Sequence, residues 1–269
     1  MNILVCVKAV PGSTEVKMDP KTNTIVRDGG SAVINPFDAS ALEAALQLKD
    51  AAAAAVESAD PVRVSVLSMG IPATARLLAD CIARGADEAL LLSDRAFAGA
   101  DTLATTHALE CGARAMDAAP DLVICGKMAV DGDTAQIGPE LAGALGYPCV
   151  TDVREVLSCN DTSLRVLAGT DEGVAEFEIT LPAVLTVARE VAQLRMPSIA
   201  GVRAGEAATV RVLTAPEAGA DPARVGLSGS PTQVVRSFVP ENATEATAIK
   251  GTAAEQAAQL VTMFEEMGV

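Results

Sequence analysis

Short apolar runs alternate with helical periodicity through the first half of the chain. Ile3–Val10 reads as a buried strand. Pro36–Lys49 reads as a helix: Asn35 can cap it, Pro36 takes the first helical position, and Ala41, Leu42, Ala45, Leu46 and Leu48 lie near one face. Arg63–Ser68 is the next strand and Ala73–Arg84 the next helix, stopped by Gly85. Glu88–Leu92 reads as a strand, Thr102–Met116 as a helix with Asp101 at its N-cap, Leu122–Cys125 as a strand, and Thr134–Leu145 as a helix closed by Gly146. This order predicts the α/β class: a parallel twisted sheet with helices on both faces.

Two stretches interrupt the alternation. Val16–Met18 and Thr24–Val26 flank Asp19-Pro20-Lys21-Thr22-Asn23 and predict an inserted β-hairpin. Leu164–Leu167 and Ala175–Thr180, joined by Gly169–Gly173, predict a second, and Pro182–Ala188 a strand after it. Ala215–Asn242 is rich in Gly, Pro, Ser and Ala without strand or helix period, which predicts an arm lying on another surface. Thr252–Met267 is an amphipathic helix with Thr252 and Glu255 as a capping box. Two regions follow: residues 1–214 as the α/β domain with its hairpins, and 215–269 as the arm and C-terminal helix.

Composition narrows the function classes. The 269 residues carry a net charge of −15, one Tyr, five Phe and no Trp. Such a surface repels nucleic acid and offers few rings for base stacking. Six cysteines, none in a C-x-x-C pair, predict free thiols in a reducing cytoplasm. No apolar run is long enough for a membrane span, and the start lacks the pattern of a signal peptide.

Ligands in open α/β sheets sit beyond the carboxyl ends of the strands. The loop after the fourth strand, Gly126 to Gly138, is the most informative. Gly126 and Gly132 free the backbone for close approach. Asp133 and Thr134 can cap a helix, and the N–H groups of Gly132 to Gln136 would point at whatever lies above. This predicts a phosphate cradle; the alternative is a capped helix after a flexible loop. P-loop and Rossmann glycine motifs are absent. His107, the single histidine, falls mid-helix, and Asp131 and Asp133 read as loop and cap residues, so neither a catalytic nor a metal residue is predicted. Chemistry on such a chain would belong to a cofactor.

Segments across nearly the whole chain resemble the β subunit of the electron transfer flavoproteins. They run from Ile3–Val10 with Pro11, through Asn35-Pro36-Phe37-Asp38 and Ala41–Lys49, Met69-Gly70, Arg84–Ala89, Ala100–Thr105 and Gly126-Lys127, to Asp131–Ala142, Leu181–Val184, Leu194-Arg195 and Gly229–Val234. The Asp131–Ala142 stretch is the most specific. The resemblance implies an adenine-nucleotide α-hydrolase-like fold, an obligate α subunit carrying its own FAD, and an arm wrapped on that subunit. It implies cofactor contacts at Cys6, Ala9, Asn35, Pro36, Phe37, Asp38, Met69, Gly126, Asp131, Gly132, Asp133, Thr134, Ala135, Gln136, Ile137 and Gly138, the last group holding the phosphates.

Gly99–Thr105 and Gly229–Val234 resemble the electron-bifurcating and nitrogen-fixation-linked branch. There a second FAD takes a hydride from NADH, which adds Asp101 and Thr102 to the expected contacts and favours FAD over AMP. Met128 stands where relatives carry Gln, and Ala188–Gln193, the family's loop toward partner dehydrogenases, is only loosely similar. Two alternatives remain: an AMP-binding structural subunit of a non-bifurcating flavoprotein, and an ATP-binding enzyme of the same broad fold, although Ser68–Pro72 lacks the pyrophosphatase loop.

Overall fold

A computed structural model describes residues 1–12, 32–54, 61–235 and 248–268. The first strand, β1 (Asn2–Cys6), is shorter than the apolar run that contains it. Val7 still donates to the Leu67 carbonyl, but Lys8 turns its N–H to the Asp38 carboxylate. The next residues form β2 (Ala9–Pro11), which pairs antiparallel with β3 (Ala32–Ile34) as a ribbon of its own. The hairpin predicted over Val16–Met18 and Thr24–Val26 lies outside the described residues.

Then follow α1 (Pro36–Ala54), β4 (Arg63–Met69), α2 (Thr74–Arg84), β5 (Glu88–Leu92), α3 (Thr102–Arg114), β6 (Leu122–Gly126) and α4 (Ile137–Leu145). The second half supplies β7 (Cys149–Cys159), β8 (Ser163–Thr170), β9 (Gly173–Thr180), β10 (Ala183–Val187), α5 (Ile199–Ala207) and β11 (Arg211–Leu213). The strand order is β11-β5-β4-β1-β6-β10-β7-β8-β9. Pairing is parallel from β11 to β7 and antiparallel from β7 to β9, so the predicted second hairpin extends the same sheet.

Alternate residues of the strands feed two cores, as a doubly covered sheet requires. Ile3, Val5, Val66 and Ile124 pack with Leu42, Leu46 and Leu78 of α1 and α2. Leu4, Cys6, Leu67 and Cys125 pack with Ala108, Leu109 and Leu141 of α3 and α4. Helix α5 lies against α2. Its Gly201 and Gly205 are there because a Cβ would strike the Ala83 and Ala79 carbonyls.

The chain divides into two compact units, Met1–Val234 and Val235–Val269. Residues 215–234, the first part of the expected arm, pack within the first unit, with Ala215, Ala220 and Val225 buried. The second unit contains α6 (Ala253–Met267). Its capping box is formed: Glu255 Oε2 accepts from the Thr252 N–H at 2.8 Å, and the Thr252 hydroxyl accepts from the Glu255 N–H. No described helix is long and apolar enough to cross a membrane.

Candidate functional site

From β1 the chain steps outward to β4 and β5, then returns to β6 on the other side of β1. That reversal opens a crevice beyond the carboxyl ends of β1 and β6, where open α/β sheets place ligands. Asp38, in the first turn of α1, anchors both strand ends. Its carboxylate accepts from the Lys8 N–H at 2.8 Å and the Gly126 N–H at 3.2 Å. Burial pushes this carboxyl up to about 7, against the opposing pull of hydrogen bonds from Asn35, Lys8 and Gly126. Gly126 is required here: a Cβ would overlap Asp38 Oδ1 and the Phe37 Cβ.

Asn35 does not cap α1 with its side chain as predicted. The amide instead reaches across to the loop after β6, donating to the Met128 carbonyl at 2.9 Å and accepting from the Val130 N–H at 3.2 Å. The buried Asn35 amide needs partners of its own, and this loop backbone supplies both a donor and an acceptor. Lys8 reaches the same loop: its Nζ lies 2.6 Å from Asp131 Oδ1. Only long-range folding brings Lys8 to Asp131. The residue follows β1 directly, and that position was the one signal for it in the sequence.

The cradle itself differs from the expected capped helix. Helix α4 begins at Ile137, three residues later than the pattern suggested, with Gln136 at the N-cap and no side-chain cap bond. Asp133 (φ 51°) and Ala135 (φ 53°) hold left-handed backbone without being glycine. Each such residue costs about 1–2 kcal/mol, and strain of this kind gathers at ligand sites. The Gly132 and Asp133 N–H groups turn inward to the Ala129 carbonyl, so they leave the expected phosphate set. The N–H groups of Thr134 to Gly138 make no hydrogen bond among the described residues. A left-handed residue followed by a right-handed one, Ala135 then Gln136, converges successive N–H groups on a point, the geometry of an anion nest. The helix dipole adds partial positive charge there. Gly138 is tight against Thr186 of β10, which sets how closely α4 approaches the sheet.

A cavity of about 420 Å³ opens beside the cradle, lined among others by Lys127, Ala135, Pro139, Thr151, Asp152 and Thr186. Lys127 Nζ lies 3.0 Å from Asp152 Oδ1, so a cation stands at its wall, partnered. A second cavity, of about 380 Å³, lies under the 215–228 segment, past the carboxyl ends of β5 and β11 at the edge of the sheet.

The remaining predicted residues fall in three places. Cys6 and Cys125 are register partners on β1 and β6, and their thiols touch: the contact with Cys6, together with burial, raises the Cys125 thiol. Met69 ends β4, on the far side of β1 from the cradle, next to Ser68, whose buried hydroxyl has no hydrogen-bond partner. Asp101 and Thr102 lie elsewhere. Asp101 caps α3 through the Ala104 N–H and also accepts from Thr232, while the Thr102 hydroxyl donates to Glu140 of α4. Among the described residues no three His, Cys, Asp or Glu side chains converge as a metal site.

The arrangement suits a phosphate held by backbone N–H groups and the helix dipole, with Lys8 and Lys127 nearby but already paired to Asp131 and Asp152. Residues 22–218 match the electron transfer flavoprotein domain. The chain belongs to the electron transfer flavoprotein family. Its relatives include the caffeyl-CoA reductase–Etf complex subunit CarD of Acetobacterium woodii, 41% identical over 267 residues, which cover 99% of this chain and 98% of the relative. The electron transfer flavoprotein subunit beta of Clostridium acetobutylicum is 41% identical over 266 residues, 99% of this chain and 98% of the relative. The protein FixA of Azorhizobium caulinodans is 40% identical over 246 residues, 89% of this chain and 85% of the relative.

Proposed function

We propose that this flavoprotein-family chain is the β subunit of a heterodimer with an α subunit, and that its crevice holds the adenine nucleotide of an FAD with the phosphates on the α4 N-terminus. The open N–H groups of Thr134 to Gly138 carry this reading. Lys8 and Asp131 hold the cradle loop to the end of β1, Asn35 fixes its middle, and Asp38 joins the two strand ends beneath it. An FAD held there would supply two-electron and one-electron transfer; the chain's own residues would bind and orient it. Six free thiols fit a reducing cytoplasm.

AMP is the second reading, and one observation favours it. At the Ala98–Asp101 loop, over which a flavin ring needs room, this chain's own Leu227 stands against Gly99 and takes up part of that space. Co-expression with an α subunit, denaturation and nucleotide quantification decide between them. Two FAD per heterodimer are expected. One FAD with one AMP establishes the second reading, and ATP turnover without flavin overturns both.

A further inference from the structure

Two sequence motifs, Gly99–Thr102 and Gly229–Thr232, meet in space. Asp101 is their junction. Its N–H donates to the Ser230 hydroxyl at 2.8 Å, and its Oδ2 accepts from both the Thr232 N–H at 3.0 Å and the Thr232 hydroxyl at 2.9 Å. Its Oδ1 meanwhile caps α3 through the Ala104 N–H at 3.1 Å. Ser230 passes its own proton to the Gly226 carbonyl at 2.7 Å, and the Leu227 N–H donates to the Ala98 carbonyl. Gly226, at φ 56°, leaves no space for a Cβ against the Ala96 and Ala98 carbonyls.

The two halves of this segment are held differently. Residues 213–225 are fastened by β11 pairing, by Asp94 accepting from the Ala215 N–H, by His107 Nε2 accepting from the Asp221 N–H, and by buried Ala215, Ala220 and Val225. From Leu227 to Thr232 no side chain is buried, so the grip is polar and passes mainly through one carboxylate. Burial pushes the Asp101 carboxyl up, but the hydrogen bonds from Ala104 and Thr232 outweigh it and hold the group below the usual carboxylate range. The carboxylate therefore stays charged, and the grip stays closed, at neutral pH. Thr232 is followed within three residues by the start of the second unit.

We infer that Asp101 is a positioning residue for assembly: it latches Gly226–Thr232 onto the start of α3 and so fixes the point from which the chain runs on into its C-terminal unit. The assembly role rests on the heterodimer reading above; the latch itself does not. A tethered root removes conformational freedom that binding would otherwise have to freeze out. The latch also joins the two motifs into one device, so a change in either should have the same effect.

Hydrogen exchange on the full chain, alone and with the α subunit, tests this. Asp101→Ala removes the latch and the α3 cap together. The double variant Ser230→Ala with Thr232→Val weakens the latch and leaves the cap in place. Both are expected to speed exchange of the Leu227 to Thr232 amides at least about tenfold, with the α3 amides unchanged in the double variant. Both should weaken heterodimer affinity on the order of tenfold, while Thr232→Ser keeps both donors and behaves as wild type. Nucleotide content should not change in the double variant or in Thr232→Ser. Wild-type protection of Leu227 to Thr232 in the double variant overturns the latch. Freed amides with wild-type affinity overturn its role in assembly. If the wild-type chain fails to pair with an α subunit, the heterodimer reading and the assembly role fall together, and the exchange rates still decide the latch.

Discussion

Helices α3 and α4 leave the same sheet in the same direction, and each presents a row of N–H groups at its start, yet the two ends are finished in opposite ways. At α3 the chain supplies its own anion: Asp101 caps Ala104 and binds Thr232 of a distant segment. At α4 the N-cap is Gln136, which makes no cap bond, and the backbone before it is held strained and open by Asp133 and Ala135. A helix end is an equally good anion site in either place. What distinguishes them is whether the sequence has filled it, and the unfilled one lies beside the switch point between β1 and β6.

The largest effect that breaks this contrast should come from the floor of the open end. In Gly126→Ala the new Cβ meets the Asp38 backbone nitrogen at 2.8 Å as well as Phe37. Backbone cannot yield as a flexible side chain does, so a loss of about 3 kcal/mol is expected. For a chain of this size that is roughly 6–12 °C in Tm. Calorimetry should show the drop, and the purified complex should retain no nucleotide in the β subunit.

The next effect is one of pH. Asp38 is raised to about 7 by burial. Between the ordinary carboxylate range and that value, the folded chain keeps a proton that the unfolded chain has released. Stability contributed by this group is therefore present at low pH and lost as pH rises toward 7, by at most about 1.4 kcal/mol per pH unit. Urea midpoints at pH 5, 6, 7 and 8 should show this slope as the difference between wild type and Asp38→Asn. Parallel curves would place the buried carboxyl in its ordinary range.

The smallest change sharpens the contrast. Gln136→Asp gives α4 the kind of anionic cap that α3 already has. The helix should gain a few tenths of a kcal/mol, while nucleotide affinity falls about tenfold, some 1.4 kcal/mol, from like-charge repulsion. Greater stability with poorer retention is the outcome to look for in paired thermal melts and equilibrium dialysis. Unchanged retention would move the phosphates away from this end.

The sequence exposes β1, β5, β6 and β10 because these central parallel strands are buried on both faces and read as largely apolar runs. Strand β7 escapes such reading. Asp152, Arg154 and Glu155 interrupt it, bulges break its register with β8, and only Val153 is fully buried. Helix α5 escapes for a different reason. Gly201 and Gly205 lower its helical signal, and the cause of those glycines, the backbone of α2, is far away in sequence. At the site, the glycines and polar residues of the Gly126–Gly138 loop are legible, but the start of α4 is not. A capping signal at Asp133 and Thr134 is local, whereas the left-handed turns that displace it are imposed by the loop's attachment to Asn35 and Lys8. Asp101 shows the same limit. The sequence marks it as a cap, which it is, and gives no sign that its second oxygen belongs to Thr232.

The place of β1 has a consequence for how the protein is made. Strand β1 is made before either of its sheet neighbours and lies in the middle of the sheet, where Asn2 is tied by its N–H to Asp121. On the ribosome β1 can acquire β4 early, but its other edge stays unpaired until Leu122–Gly126 has emerged. At ordinary elongation rates that is roughly ten seconds, during which a fully apolar strand presents open hydrogen-bonding groups to the cell. The crevice therefore waits on β6, and a chain that stalls before β6 lacks the cradle loop and leaves an exposed template for misassembly.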